Sequence, residues 1–246
     1  MIKNFKDYTS HIDDSRCNVI EFKKLACEFS FILKKLNVNI SPFRPNRSKL
    51  VFEERNLAHQ KKAIAYLDLS IEIFKESVLL GETGRESGKL LWRFCKRLGQ
   101  APQDDIFDKI SDDDLVEVYC TDHTPIFRNL KFYEEFSYTV DEALCLPWYQ
   151  ACRRDLITTI KMMKFTLMYL RRPYKDTQKW PVPLHLVDEL NTEKEYRFWT
   201  QMKYISGIHS KGVLTGVISI CGVGVIGEKK MLWAENAINS AQDKGL

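Results

Sequence analysis

Apolar residues recur at helical spacing through the first 110 residues and at alternate positions through much of the remainder. Over 19–36 the spacing of Ile20, Leu25, Phe29, Ile32, Leu33 and Leu36 predicts a helix. A linker with Pro42 and Pro45 follows. Residues 48–80 then run without Gly or Pro and predict one long helix, ended by Gly81 and Gly84. Leu90, Leu91, Phe94 and Leu98 mark a helix over 86–98, stopped by Gly99. From Leu115 the period becomes two, giving a strand over 115–120, a turn at Asp122 to Pro125 and a strand over 126–128. Helical turns lead to one helix over 155–170, with Ile157, Ile160, Met163, Leu167 and Leu170 on its apolar face and Pro173 beyond its end. Three strands are predicted next. The first covers 183–190. After a turn over 191–194, the second covers 195–208, with Tyr196, Phe198, Met202 and Tyr204 inward and Arg197, Gln201 and Lys203 toward water. A turn at Gly212 precedes the third, over 213–225, carrying Leu214, Ile218 and Ile220. A last helix is expected over 228–242 with Leu232, Trp233 and Ile238 as contacts.

The long helix carries Leu50, Leu57, Ile64, Ile71 and Val78 at intervals of seven. Such spacing keeps one seam toward a partner helix and makes these five the candidate dimerisation residues. The companion seam holds Glu53, Gln60, Leu67 and Phe74, polar early and apolar late. Packing within the same chain, widened by Ala58, Ala65 and Leu79, is the other reading, and both stay open.

The segment from Pro125 to Trp148 is the most informative. Phe132 and Phe136 share a helix face. Thr139 and Glu142 form a capping box, each side chain meeting the other's backbone N–H. Strand, Asn129, aromatic helix, Ser137-Tyr138, Asp141-Glu142 and Pro147-Trp148 in this order resemble the middle of a PAS domain. Ser137 stands where the family commonly has Gly. The resemblance covers about 112–227. It implies an α+β fold, with a five-stranded antiparallel sheet and helices on one face, following a helical region at 1–110 and preceding a C-terminal helix at 228–246. It also implies a sensor or dimerisation module: a homodimer, a small ligand or a protein partner supplying the output, and no enzymatic activity. Asn129 at the strand end is expected to bond backbone.

Composition narrows the chemistry. Of 246 residues 44% are hydrophobic, enough for a core, and the net charge of +4 is too mild to support nucleic-acid binding. Seven cysteines are scattered without a CxxC pair, so neither a zinc ribbon nor a redox dithiol is supported. No apolar run has the length of a membrane span or signal sequence, and a cytoplasmic location is expected. Gly81 to Lys89 fails as a phosphate loop: Thr83 sits where the first Gly belongs, and Leu90 where a hydroxyl should follow Lys89. Of the five histidines only His123, three residues after Cys120, lies close to a cysteine, and no second such pair accompanies it, so no metal site is read. The usual heme mode of PAS domains needs a histidine on the helix over 155–172, which has none. The flavin mode needs Asn-Cys-Arg, and Cys152-Arg153-Arg154 lacks the Asn. No cofactor is assigned.

A cavity between sheet and helices would be walled by Phe127, Asn129, Phe132, Phe136, Leu144, Trp148, Ile160, Met163, Phe198, Met202, Ile218 and Ile220. Close packing of the same side chains, leaving a scaffold without a ligand, is the alternative.

Overall fold

The computed structural model describes residues 15–171, 176–190, 192 and 194–228. The expected helix over 228–242 lies outside them beyond Glu228, as do Pro173 and part of the turn over 191–194. Three helices lead: α1 (Ser15–Lys35), α2 (Leu57–Leu79) and α3 (Ser87–Leu98). The long helix thus starts later than its Gly- and Pro-free sequence implies. The Asn56 side chain accepts the His59 N–H at 3.0 Å and caps α2. Ahead of it, Phe52–Glu54 is a single 3-10 turn.

The seven-residue seam is used inside the chain. Ile64 and Ile71 are 7% and 2% exposed, and Phe29 of α1 meets Phe74 of α2 edge to face at 5.5 Å. Leu50 is buried outside the helix, Val78 is half-buried, and only Leu57 is exposed. Ile64 and Ile71 therefore pack within the chain, the second of the two readings of this stripe. With α1 already against it, the stripe has its partner.

The rest of the chain is mixed helix and antiparallel sheet. In order come β1 (Ala101–Pro102), β2 (Leu115–Cys120), β3 (Pro125–Arg128), α4 (Leu130–Glu135), α5 (Val140–Cys145), α6 (Trp148–Ala151), β4 (Cys152–Arg153), α7 (Leu156–Arg171), β5 (Gln178–Lys179), β6 (His185–Glu189), β7 (Tyr196–Ser210) and β8 (Val213–Glu228). The sheet runs β3-β2-β8-β7-β6-β4, with β1 and β5 also paired to β7, eight strands in all where five were expected. The three extra strands have two residues each. Lys211 and Gly212, both at positive φ, form the two-residue turn between Ser210 and Val213.

Strand alternation sorts the sheet into two faces. Val116, Val118, Phe127, Ile218 and Ile220 share one, and the ring of Phe94 of α3 lies tilted against that of Phe127 at 4.9 Å. The N-terminal helices thus cover this face, so helices lie on both sides of the sheet. Leu115, Glu117, Tyr119, Val217, Ser219 and Cys221 share the other, under α4 to α7. One connected core joins both layers.

A register shift in β7 between Met202 and Tyr204 breaks the predicted period of two. Met202 and Ile205 consequently both face α4 to α7, while Tyr204 pairs with Ile220 and points the other way. Helix α7 is likewise turned from its expected orientation. Met162, Thr166 and Tyr169 are buried, whereas Ile160 and Met163 are 55% and 45% exposed. Thr166 can be buried because its hydroxyl donates to the Met162 carbonyl at 2.9 Å.

Candidate functional site

Between the inner face of the sheet and α4 to α7 lies a cavity of about 70 Å³, room for several waters or a compact ligand. Phe132 and Phe136, stacked at 4.8 Å, close one end together with Tyr138. Capping sets this wall. The Thr139 hydroxyl accepts the Glu142 N–H at 3.3 Å, and the Glu142 carboxylate accepts the Thr139 N–H at 3.0 Å. That box fixes where α5 begins and hence the path of 136–139. Trp148, Ala151, Met162, Thr166 and Trp180 roof the space, and Val187, Thr200, Met202, Ile205 and Cys221 form its floor.

Two arginines, Arg128 and Arg154, bring charge into these walls. Arg128 Nε donates to Glu117 Oε1 at 2.9 Å, and Tyr119 Oη donates to the same oxygen at 2.7 Å. The Arg128 guanidinium also lies 4.0 Å from the Phe132 ring centre. Burial works against the charge of Arg128, but Tyr119 and Glu117 outweigh it and hold its pKa above the ordinary value. Burial also pushes the Tyr119 phenol well up. The second group is Arg154, whose guanidinium lies 5.7 Å from the Trp148 ring centre.

The thiols of the cavity are poor nucleophiles. Burial raises Cys152, and it raises Cys221 to about 12. The Cys221 thiol donates to Met202 Sδ at 3.3 Å, and Cys152 Sγ lies 3.7 Å from Tyr138 Oη. Among the described residues no group of three His, Cys, Asp or Glu side chains is placed to hold a metal ion. The arrangement can enclose and orient a small molecule.

Of the residues expected to wall the cavity, Phe132, Phe136, Trp148 and Met202 line it. Phe198 is buried on the same face beyond its edge, 4.5 Å from Phe136. Phe127, Ile218 and Ile220 face the N-terminal helices instead. Ile160 and Met163 point away from it, and Leu144 lines a separate depression beside Arg55 and Pro147. Asn129 is a tie: Oδ1 accepts the Val116 N–H at 3.1 Å, and Nδ2 donates to Ser87 Oγ and the Asp114 carbonyl at 2.7 Å each.

Glu117, Tyr119, Arg128, Tyr138, Arg154 and Met162 line the cavity without having been expected there. For the strand residues a signal existed. Leu115, Glu117 and Tyr119 share a parity, and the more apolar parity, Val116 and Val118, is taken by the N-terminal helices.

Among the described residues no helix is long and apolar enough to cross a membrane. The chain matches no family model, no curated protein and no solved structure.

Proposed function

We propose that this chain is a PAS-type regulatory module that holds a small ligand in the cavity and passes the event to its N-terminal helices. The observation that carries it is the partly polar cavity between sheet and helices. The antiparallel sheet, whose longer strands are β2, β3, β6, β7 and β8, supports this reading. The raised thiols favour binding over catalysis.

A route outward supports signalling. Phe132 in the cavity wall meets Tyr133 edge to face at 5.4 Å, and Tyr133 meets Phe29 of α1 at 5.4 Å. A ligand that favours one position of α4 would therefore favour one packing of α1 on α2, a population shift. Native mass spectrometry of gently purified full-length chain tests the proposal. Retention of a small molecule is expected, and its loss should leave the fold intact. Protein that emerges without any ligand and gains none from extract would oppose it.

A module that binds other proteins without a ligand is the second reading. The outward face of α7, where Leu156, Ile157, Ile160, Met163, Leu167 and Met168 are all exposed, favours it.

A further inference from the structure

The two arginines of the cavity differ in their electrostatic accounts. Arg128 is fully enclosed and matched by Glu117. Arg154 has no such match. Its Nε is buried without a hydrogen-bond partner, and no described carboxylate pairs with it. Its neighbour Asp155 is engaged elsewhere, accepting the Thr158 N–H at 2.8 Å at the start of α7. The aromatic face of Trp148 is the contact that the guanidinium makes. The Arg154 side chain lines the cavity, and its charge partly offsets the burial that raises Cys152 and Cys221.

A buried donor on a cation is costly to leave unmatched, so such a group calls for an acceptor. A guanidinium fork suits a carboxylate, which takes two parallel N–H donors. The surrounding walls are aromatic and aliphatic: Phe132, Trp148, Met162, Val187 and Met202. The acidic member of the cavity, Glu117, is occupied by Arg128 and Tyr119, so it does not neutralise Arg154.

We infer that the cavity takes a small organic anion, a carboxylate on a compact apolar body, with its head on Arg154 and its body against Trp148, Phe132 and Met202. The inference rests on the ligand-sensing reading above and specifies its chemistry.

Isothermal titration of the full-length chain with benzoate, benzamide and toluene tests it. Benzoate should bind about tenfold or more tighter than benzamide, the size of one charge-assisted hydrogen bond. Arg154→Leu should erase that preference while leaving benzamide and toluene binding in place, and Arg154→Lys should keep part of it. Rising salt should weaken benzoate alone. Benzamide and benzoate binding equally, or an unchanged preference in Arg154→Leu, would overturn the anion inference and leave ligand sensing standing. Failure of all three probes to bind at millimolar concentration would overturn both. A circular dichroism spectrum of each variant excludes unfolding as the cause of lost binding.

Discussion

Asp141 holds Phe52 across a separation of 89 positions: one carboxylate oxygen accepts the Phe52 N–H at 2.9 Å. The other accepts the Val51 N–H at 2.8 Å. Asp141 sits in the first turn of α5, whose N-terminus also donates from Val140 to the Ser41 carbonyl and from Asp141 to that of Pro42, both at 3.0 Å. The segment between α1 and α2 is thereby sewn to the N-terminus of α5. Asp141→Ala would leave two buried amides without acceptors and should cost about 2–3 kcal/mol. Asp141→Asn keeps one acceptor oxygen and should cost less. Urea unfolding of both variants checks the order. Equal midpoints for wild type and Asp141→Ala would show that these bonds do not hold the segment.

Helix α7 offers a test of which face is packed. Met162 is 4% exposed and Ile160 is 55% exposed, although Ile160 is the more hydrophobic in sequence-pattern terms. Met162→Ala should cost about 2–4 kcal/mol through the void it leaves, whereas Ile160→Ala should stay within about 0.5 kcal/mol of wild type. The two midpoints measured side by side decide the matter, and a reversed order would mean that α7 is turned the other way.

The same helix shows why the sequence was legible only in part. Among the described residues the order and type of the longer elements followed from periodicity, and the boundaries of β2 and the Thr139 to Glu142 cap agree with the structure because both are local signals. Orientation is not local. Apolar side chains were assigned to the cavity, yet Ile218, Ile220 and Phe127 pack on the N-terminal helices, and Ile160 and Met163 face outward. Two layers compete for one sheet, and the more apolar face goes to the layer that is close-packed. The cavity inherits the face with Glu117, Tyr119 and Ser219. The shift after Met202 also reverses side-chain parity along β7, and no residue pattern announced it.

Asp122 in the turn between β2 and β3 pairs with Lys62 on α2 and accepts the Thr124 N–H at 3.1 Å. Burial pushes its pKa up, but the Lys62 and Thr124 hydrogen bonds prevail and bring it to about 2. The folded value lies below the unfolded one of about 3.9. Its stabilisation is therefore complete above roughly pH 4 and is lost as pH falls toward 2. The pair is 36% exposed on each side, so solvent screening keeps the contribution below about 1 kcal/mol. Wild type should exceed Asp122→Asn in stability at pH 6, by less at high salt, and the two should converge near pH 2. An offset that is unchanged by pH would assign the effect to something other than this charge.

Thiol reactivity separates binding from thiolate chemistry. Cys17 and Cys27 are exposed, while Cys95, Cys145 and Cys221 are buried. Burial raises Cys145 well above its usual range and takes Cys95 to about 12. Titration of the native chain with an aromatic disulfide at pH 8 should therefore show two fast thiols and five slow ones, with all seven reacting once urea unfolds the protein. A third fast thiol mapped by mass spectrometry to Cys152 would reopen catalysis in the cavity.

Glu117 and Arg128 form the pair whose removal should be least additive. Their side chains are 13% and 2% exposed, so either charge left alone would be buried without a counterion. Glu117→Leu strands the guanidinium in an aromatic pocket and should cost about 3–5 kcal/mol. Arg128→Met strands the carboxylate, though the Tyr119 hydroxyl still donates to it, so its cost should be somewhat smaller. The double variant removes both charges and fills their space with apolar groups, which should restore most of the loss. Urea unfolding of all four proteins gives the coupling free energy. A double variant as unstable as the sum of the single ones would show that the pair is not an isolated unit and that Tyr119 or Phe132 carries the remaining dependence.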